Sequence, residues 1–169
     1  MPRVEFDALP AHGRLWVFPA SRTLTDTEAE ALLEAVDDFL AQWAAHGVPL
    51  RSARELRERR FLLVGVDVDA EAPSGCSIDA LVNRLRGLAG EMGLTLIDHA
   101  PVWFRQGGDV RMASRAEFRA LVDAGSVGPD DPVFDTSLTR IEQARAGALE
   151  VPATQSWHGR AFFKDRVGT

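Results

Sequence analysis

Six consecutive apolar residues, Phe61-Leu62-Leu63-Val64-Gly65-Val66, constrain this chain more than any other segment. A half-exposed strand would alternate apolar and polar side chains. An unbroken run of this length with β-branched content reads instead as a strand covered on both faces. Such a strand asks for helices to cover it, and two amphipathic candidates flank it. Thr25 and Glu28 have capping-box spacing, and Ala29, Leu32, Leu33, Val36, Phe39, Leu40 and Trp43 follow at helical intervals. Gly47 and Pro49 stop this helix, which places His46 in its last turn. After the run, Ser77 reads as an N-cap with Asp79 in the first turn, where the helix dipole favours negative charge. Ile78, Leu81, Leu85, Leu88 and Met92 form the second apolar stripe, closed by Gly93.

Arg14 to Phe18, stopped by Pro19, and Leu94 to Ile97 read as further strands. Strands alternating with helices imply crossovers, so the expected fold is α/β: a β-α-β-α-β core with a parallel or mixed sheet. A hairpin follows around Gly107-Gly108, with arms Val102–Arg105 and Val110–Ala113. Ser114 and Glu117 form another capping box and open a short helix ending at Gly125. The C-terminal tail is mixed: a short strand at Val133-Phe134, a helix from Ser137 to about Ala146, and an edge strand from Trp157 to Phe163. Residues 1–169 are expected to form one domain, with 1–12 disordered and 128–169 an extension packing on the core.

Composition removes several classes of function. The formal net charge of −6 argues against wrapping nucleic acid, and the densest basic cluster, Arg51, Arg54, Arg57, Arg59 and Arg60, reads as a solvated face. Cys76 is the single cysteine, so no intrachain disulfide forms. No apolar run approaches the ~18 residues of a membrane span, and the N-terminus lacks an apolar signal region. A cytoplasmic protein, without a membrane partner, is the expectation. Lys164 is the only lysine and there is no Gly-x-x-x-x-Gly-Lys-Ser/Thr, so a phosphate-binding loop is absent. The four histidines make no metal-ligand spacing with each other or with Cys76, and no metal or cofactor is expected.

If the three core strands are parallel, their carboxyl ends collect Ser21 and Arg22, then Asp67 with the loop Ser74-Gly75-Cys76-Ser77-Ile78-Asp79, then Asp98 and His99. Gly75 lets backbone approach a ligand, and free amides at a helix start attract anions. A thiol in that position is a candidate nucleophile with His99 as base, although nearby carboxylates oppose a thiolate. The segment Ser156-Trp157-His158-Gly159-Arg160 either lines a pocket wall or packs Trp157 on the core as a tail strand.

The blocks Trp43-Ala44-Ala45-His46-Gly47, Ser74-Gly75-Cys76-Ser77-Ile78-Asp79 and Ser156-Trp157-His158-Gly159-Arg160, in this order, resemble a small bacterial family of uncharacterised activity. Its members sometimes carry the label of ABC-transporter ATPase, which the missing phosphate loop does not support. The resemblance draws attention to Cys76, His46 and His158 and implies no role for any of them. Three functions remain in play. The first is binding of an anionic small molecule by Ser21, Arg22, Asp67, Ser74, Gly75, Ser77, Asp79 and His158. The second is a cysteine-dependent hydrolase or transferase using Cys76 as nucleophile and His99 or His158 as base. The third is an interaction module using Trp103 and Trp157.

Overall fold

The structure, a computed structural model, describes residues 3–164. The order is β1 (Arg14–Pro19), α1 (Asp26–Gln42), β2 (Ala44–Ala45), β3 (Val48–Pro49), β4 (Ser52–Arg57), β5 (Phe61–Val66), α2 (Gly75–Met92), β6 (Val102–Gln106), β7 (Asp109–Ala113), α3 (Arg115–Asp123), β8 (Pro132–Phe134), α4 (Ile141–Arg145), β9 (Glu150–Pro152) and α5 (Trp157–Phe162). Helices and sheets are both present, as expected for an α/β chain. The chain divides into two compact units: Met1–Asp98 with Ser137–Arg145, and His99–Thr136 with Ala146–Thr169.

In the first unit, β5 is the apolar run, and Phe61, Leu62, Leu63, Val64 and Val66 are all 0% exposed. Its neighbours overturn the parallel expectation. The sheet order is β1-β5-β4 and both pairings are antiparallel, with Arg14 and Ser52 each opposite Val66. The segment read as a basic surface stretch is strand β4, joined to β5 by the turn Glu58-Arg59-Arg60. Glu58 and Arg59 take positive φ (58° and 48°), which closes the hairpin without a glycine. Inserting β4 between α1 and β5 reverses the direction of β5 relative to β1. The third expected strand, Leu94 to Ile97, does not form. Leu94 and Leu96 are buried in the core instead, and Thr95 bonds to Ser21 at both its amide and its carbonyl.

The helix ends obey local chemistry, with shifts in detail. Thr25 and Glu28 make the expected reciprocal cap. The helix stops at Gln42, before His46, because Trp43 leaves in extended conformation and donates its indole N–H to Ser77 O at 2.8 Å. His46 and Gly47 form the tip of the β2–β3 hairpin, both with positive φ, so His46 is not in a helical turn. The N-cap of α2 is Ser74 and not Ser77, which serves as its N3 partner. Asp79 consequently lies beyond the first turn.

Within residues 3–12, in the stretch expected to be disordered, Phe6 and Leu9 are buried and the residues around them are half-buried or exposed. Phe6 is 8% and Leu9 2% exposed, and Arg145 donates to the carbonyls of Phe6, Asp7 and Leu9. Met1 and Pro2 lie outside the described residues. Leu9 and Ile141 cover the face of β5 at Gly65: a Cβ there would stand 2.8 Å from Leu9 Cδ1 and 3.0 Å from Ile141 Cδ1. The α4 helix starts at Ile141, later than its expected start at Ser137.

The second unit holds the antiparallel sheet β7-β6-β8-β9. The β6–β7 hairpin turns at Gly107 and Gly108 (φ 61° and 86°), as the Gly-Gly pair predicts. Ser114 and Glu117 cap α3 reciprocally. Val102, Phe104, Phe118, Val122, Val133 and Phe163 are among the residues of this core. The expected edge strand at Trp157 to Phe163 is helix α5. His158 and Phe162 are buried while Arg160 between them is exposed, which helical spacing permits and strand alternation, putting all three on one face, would not. The part of the expected C-terminal extension from residue 165 onward lies outside the described residues.

Replacing Gly65 by Ala is expected to lower stability by about 1–3 kcal/mol, because its new methyl meets Leu9 and Ile141 in a filled core. Urea denaturation of the wild type and Gly65→Ala checks this.

Candidate functional site

The first unit scatters the residues expected to form one site. Ser74 and Ser77 hydroxyls are engaged in the α2 cap: Ser74 Oγ accepts the Ser77 amide at 3.1 Å, while Ser77 Oγ accepts the Ser74 amide at 2.7 Å and donates to Ser74 O. Gly75, Cys76 and Asp79 are exposed beside them. Arg22 is held by both oxygens of Glu28 and by Met92 O at 2.7 Å. Met92 ends α2, so Arg22 stands at the opposite end of this helix from Ser74, about 25 Å away by helical rise. Ser21 is at that far end too, bonded to Thr95. The antiparallel β1–β5 pairing is the cause, because Pro19 lies opposite Phe61 and not beside Val66.

Asp67 does close β5 near the start of the loop, but its carboxylate is taken by Arg51 at 3.2 Å and by the Asp69 amide at 3.0 Å. Asp69 pairs with His12 at 2.5 Å. Cys76 is exposed in the first unit, and His99 is exposed at the start of the second. Among the described residues no hydrogen bond joins the Cys76 thiol to an imidazole. No group of three or more His, Cys, Asp or Glu side chains among them is placed to hold a metal ion. No helix is long and apolar enough to cross a membrane.

Of the expected site residues, His158 is the one that leads to a cleft. Asp135, Thr154, Gln155, Ser156, Trp157, Gly159, Arg160 and Lys164 line a cavity of about 690 Å³ in the second unit. As a helix start and not a strand, Ser156 to Arg160 fits both readings: it lines this cleft, and Trp157 packs against the core of its unit. Gly159 is required there. A Cβ would stand 2.9 Å from Ala153 O, so a larger residue would push α5 off the turn that precedes it. Arg160 and Lys164 have no carboxylate partner among the described residues. Asp135 and Lys164 were missed by sequence reasoning because neither belongs to a motif. Asp135 reaches the cleft only through the pairing of β8 with β9.

His158 is 0% exposed. Its ring stacks on Trp157 at 3.9 Å and lies against Phe118 and Phe162, with centroids 6.4 and 6.5 Å away. Nδ1 is 2.6 Å from Ser156 Oγ, and Nε2 has no hydrogen-bond partner among the described residues. Burial pushes the imidazole down to about 4. The negative charge of Asp135 opposes that shift, and Arg115 adds to it. The ring is therefore neutral at neutral pH.

An unfolded chain takes up this proton near 6.5, so between about 6.5 and 4 the unfolded state binds more protons than the folded one. Stability present above 6.5 is lost on acidification through that window. The loss expected from His158 between pH 7 and pH 5 is about 2 kcal/mol. Carboxylates held low, such as Glu28 (lowered to about 2 by its bond from Arg22 and then by the Thr25 amide), add acid sensitivity only at lower pH. Urea midpoints at pH 7 and pH 5 check this, and His158→Gln is expected to flatten the difference.

No family model, no curated protein and no solved structure matches the chain.

Proposed function

We propose that this protein binds a small anionic molecule in the cleft of its second unit, with Arg160 and Lys164 as counter-charges and Trp157 as an apolar wall. The carrying observation is that two basic residues without a carboxylate partner among the described residues line one cleft. In the first unit, Arg51, Arg54, Arg57 and Arg59 are each neutralised by a carboxylate: Asp67, Asp37, Glu55 and Asp26 respectively. Arg60 is buried and donates to the carbonyls of Ala20 and Ser21. At the cleft, two cations four residues apart have no such partner among the described residues. A guanidinium and an ammonium beside an aromatic ring suit a carboxylate or phosphate on an apolar body. The cavity volume suits a metabolite-sized ligand.

The Ser74 to Asp79 loop supports this function less well. Its serine hydroxyls are occupied by the helix cap, and Arg22 lies at the other end of α2. An interaction module is also less supported. Trp103 is 1% exposed, and the exposed large apolar side chains among the described residues are Val48 and Met112.

Titration with aryl phosphates and aryl carboxylates, followed by tryptophan fluorescence, tests the proposal. Saturable binding is expected, weakened about fivefold to tenfold (~1–1.4 kcal/mol) by Arg160→Ala and by Lys164→Ala, and weakened by salt. Absence of saturable binding to either class, or unchanged affinity in both variants, refutes it. Ser74→Ala is expected to cost about 1 kcal/mol of stability and leave affinity unchanged. Lost binding in that variant would return the site to the α2 loop.

A further inference from the structure

Ser156 is the cleft residue whose hydroxyl has the most unusual surroundings. Its Oγ lies 2.6 Å from His158 Nδ1, accepts the His158 amide at 3.2 Å, and is 3.3 Å from Ala153 O. The hydroxyl has two acceptors within reach, Nδ1 at 2.6 Å and Ala153 O at 3.3 Å, and donates to the nearer one when Nδ1 carries no hydrogen. The imidazole then keeps its own hydrogen on Nε2. That nitrogen is buried, in a ring packed against Trp157, Phe118 and Phe162, with no hydrogen-bond partner among the described residues. An unpaired buried donor is costly, and an apolar side chain would fill the same enclosure without that cost. What the histidine offers in return is a neutral nitrogen base held against a hydroxyl on a cleft wall.

We propose that Ser156 is a nucleophile, activated through Nδ1 of His158, for a carboxylic ester that carries an anionic group and occupies this cleft. The anionic part of this substrate class rests on the binding reading above; the nucleophile does not. Ser156 Oγ attacks the ester carbonyl carbon as its proton passes to Nδ1. The carbon–oxygen bond to the alcohol breaks, and the departing alkoxide takes that proton, leaving an acylated Ser156 and a neutral imidazole. Water then attacks the acyl carbon by the same route, its proton passing through Nδ1 to Oγ, and the carboxylic acid is released. The imidazolium formed in passing is favoured by Asp135 and opposed by Arg115, which lies over the Trp157 ring. Arg119, over the Phe162 ring, is the other guanidinium on α3 stacked on this enclosure. Arg160 and Lys164 line the same cleft and would hold the anionic group.

The test is labelling of the full chain with diisopropyl fluorophosphate, a neutral probe whose fluoride the serine oxygen displaces, read by intact and peptide mass. One adduct is expected, on Ser156, and none in Ser156→Ala. In the wild type the labelling rate is expected to be level from pH 6 to 8 and to fall in acid with a midpoint near 4, with near-ultraviolet circular dichroism confirming that the fold persists. His158→Gln is expected to slow labelling about a hundredfold. Should that variant fail to fold, the wild-type pH profile decides. Absence of an adduct at Ser156, or a rate rising tenfold per pH unit through neutrality, overturns the proposal. Labelled Ser156 without saturable anion binding overturns the binding reading alone, and anion binding without labelling overturns the nucleophile alone.

Discussion

The first unit depends on the burial of β5. Every backbone N–H and C=O on a strand removed from water must find a partner, so β5 needs a strand along each edge. It also needs apolar cover on each face. β1 and β4 supply the edges, both antiparallel. Leu62, Val64 and Val66 join the core with Leu32, Val36 and Leu40 of α1 and Leu81, Leu85 and Leu88 of α2. On the alternate positions, Gly65 leaves just enough room for Leu9 and Ile141. The amino-terminal segment and α4 are thus drawn into this unit by one glycine-sized gap.

The same pairing disperses the charges. Antiparallel order sends the end of β1 and the end of β5 in opposite directions, so Ser21 and Arg22 part from Asp67 and the α2 start. The arginines of β4 and its flanks meet carboxylates locally, and each ion pair removes a cation from the pool available to a ligand. Arg160 and Lys164 line the cleft of the second unit, where the aromatic enclosure of His158 also lies.

Local signals were legible wherever a few neighbouring residues suffice. The reciprocal caps at Thr25–Glu28 and Ser114–Glu117, and the Gly107-Gly108 turn, form as their spacing indicates. The burial of the Phe61 to Val66 run was equally legible. Strand β4 was not, because Ser52-Ala53-Arg54-Glu55-Leu56-Arg57 lacks alternation and takes its strand character from the β5 edge. Leu94 to Ile97 misled in the opposite sense: its apolar residues are buried as an irregular segment. The Trp157 to Phe163 segment has apolar content that fits either period. Gly159 packing on Ala153, and the exposure of Arg160 between buried His158 and Phe162, favour the helix.

The sequence by itself determined what each short segment prefers: which residues cap, which turn, and which must leave water. It also singled out Ser156 to Arg160 as a possible wall. Tertiary structure alone decided strand direction, and with it which loop ends meet. Strand direction depends on hydrogen bonds between residues distant in the chain, and no local pattern encodes them. The cleft is of this kind as well, since Asp135 comes to Ser156 and Trp157 only through the ladder between β8 and β9.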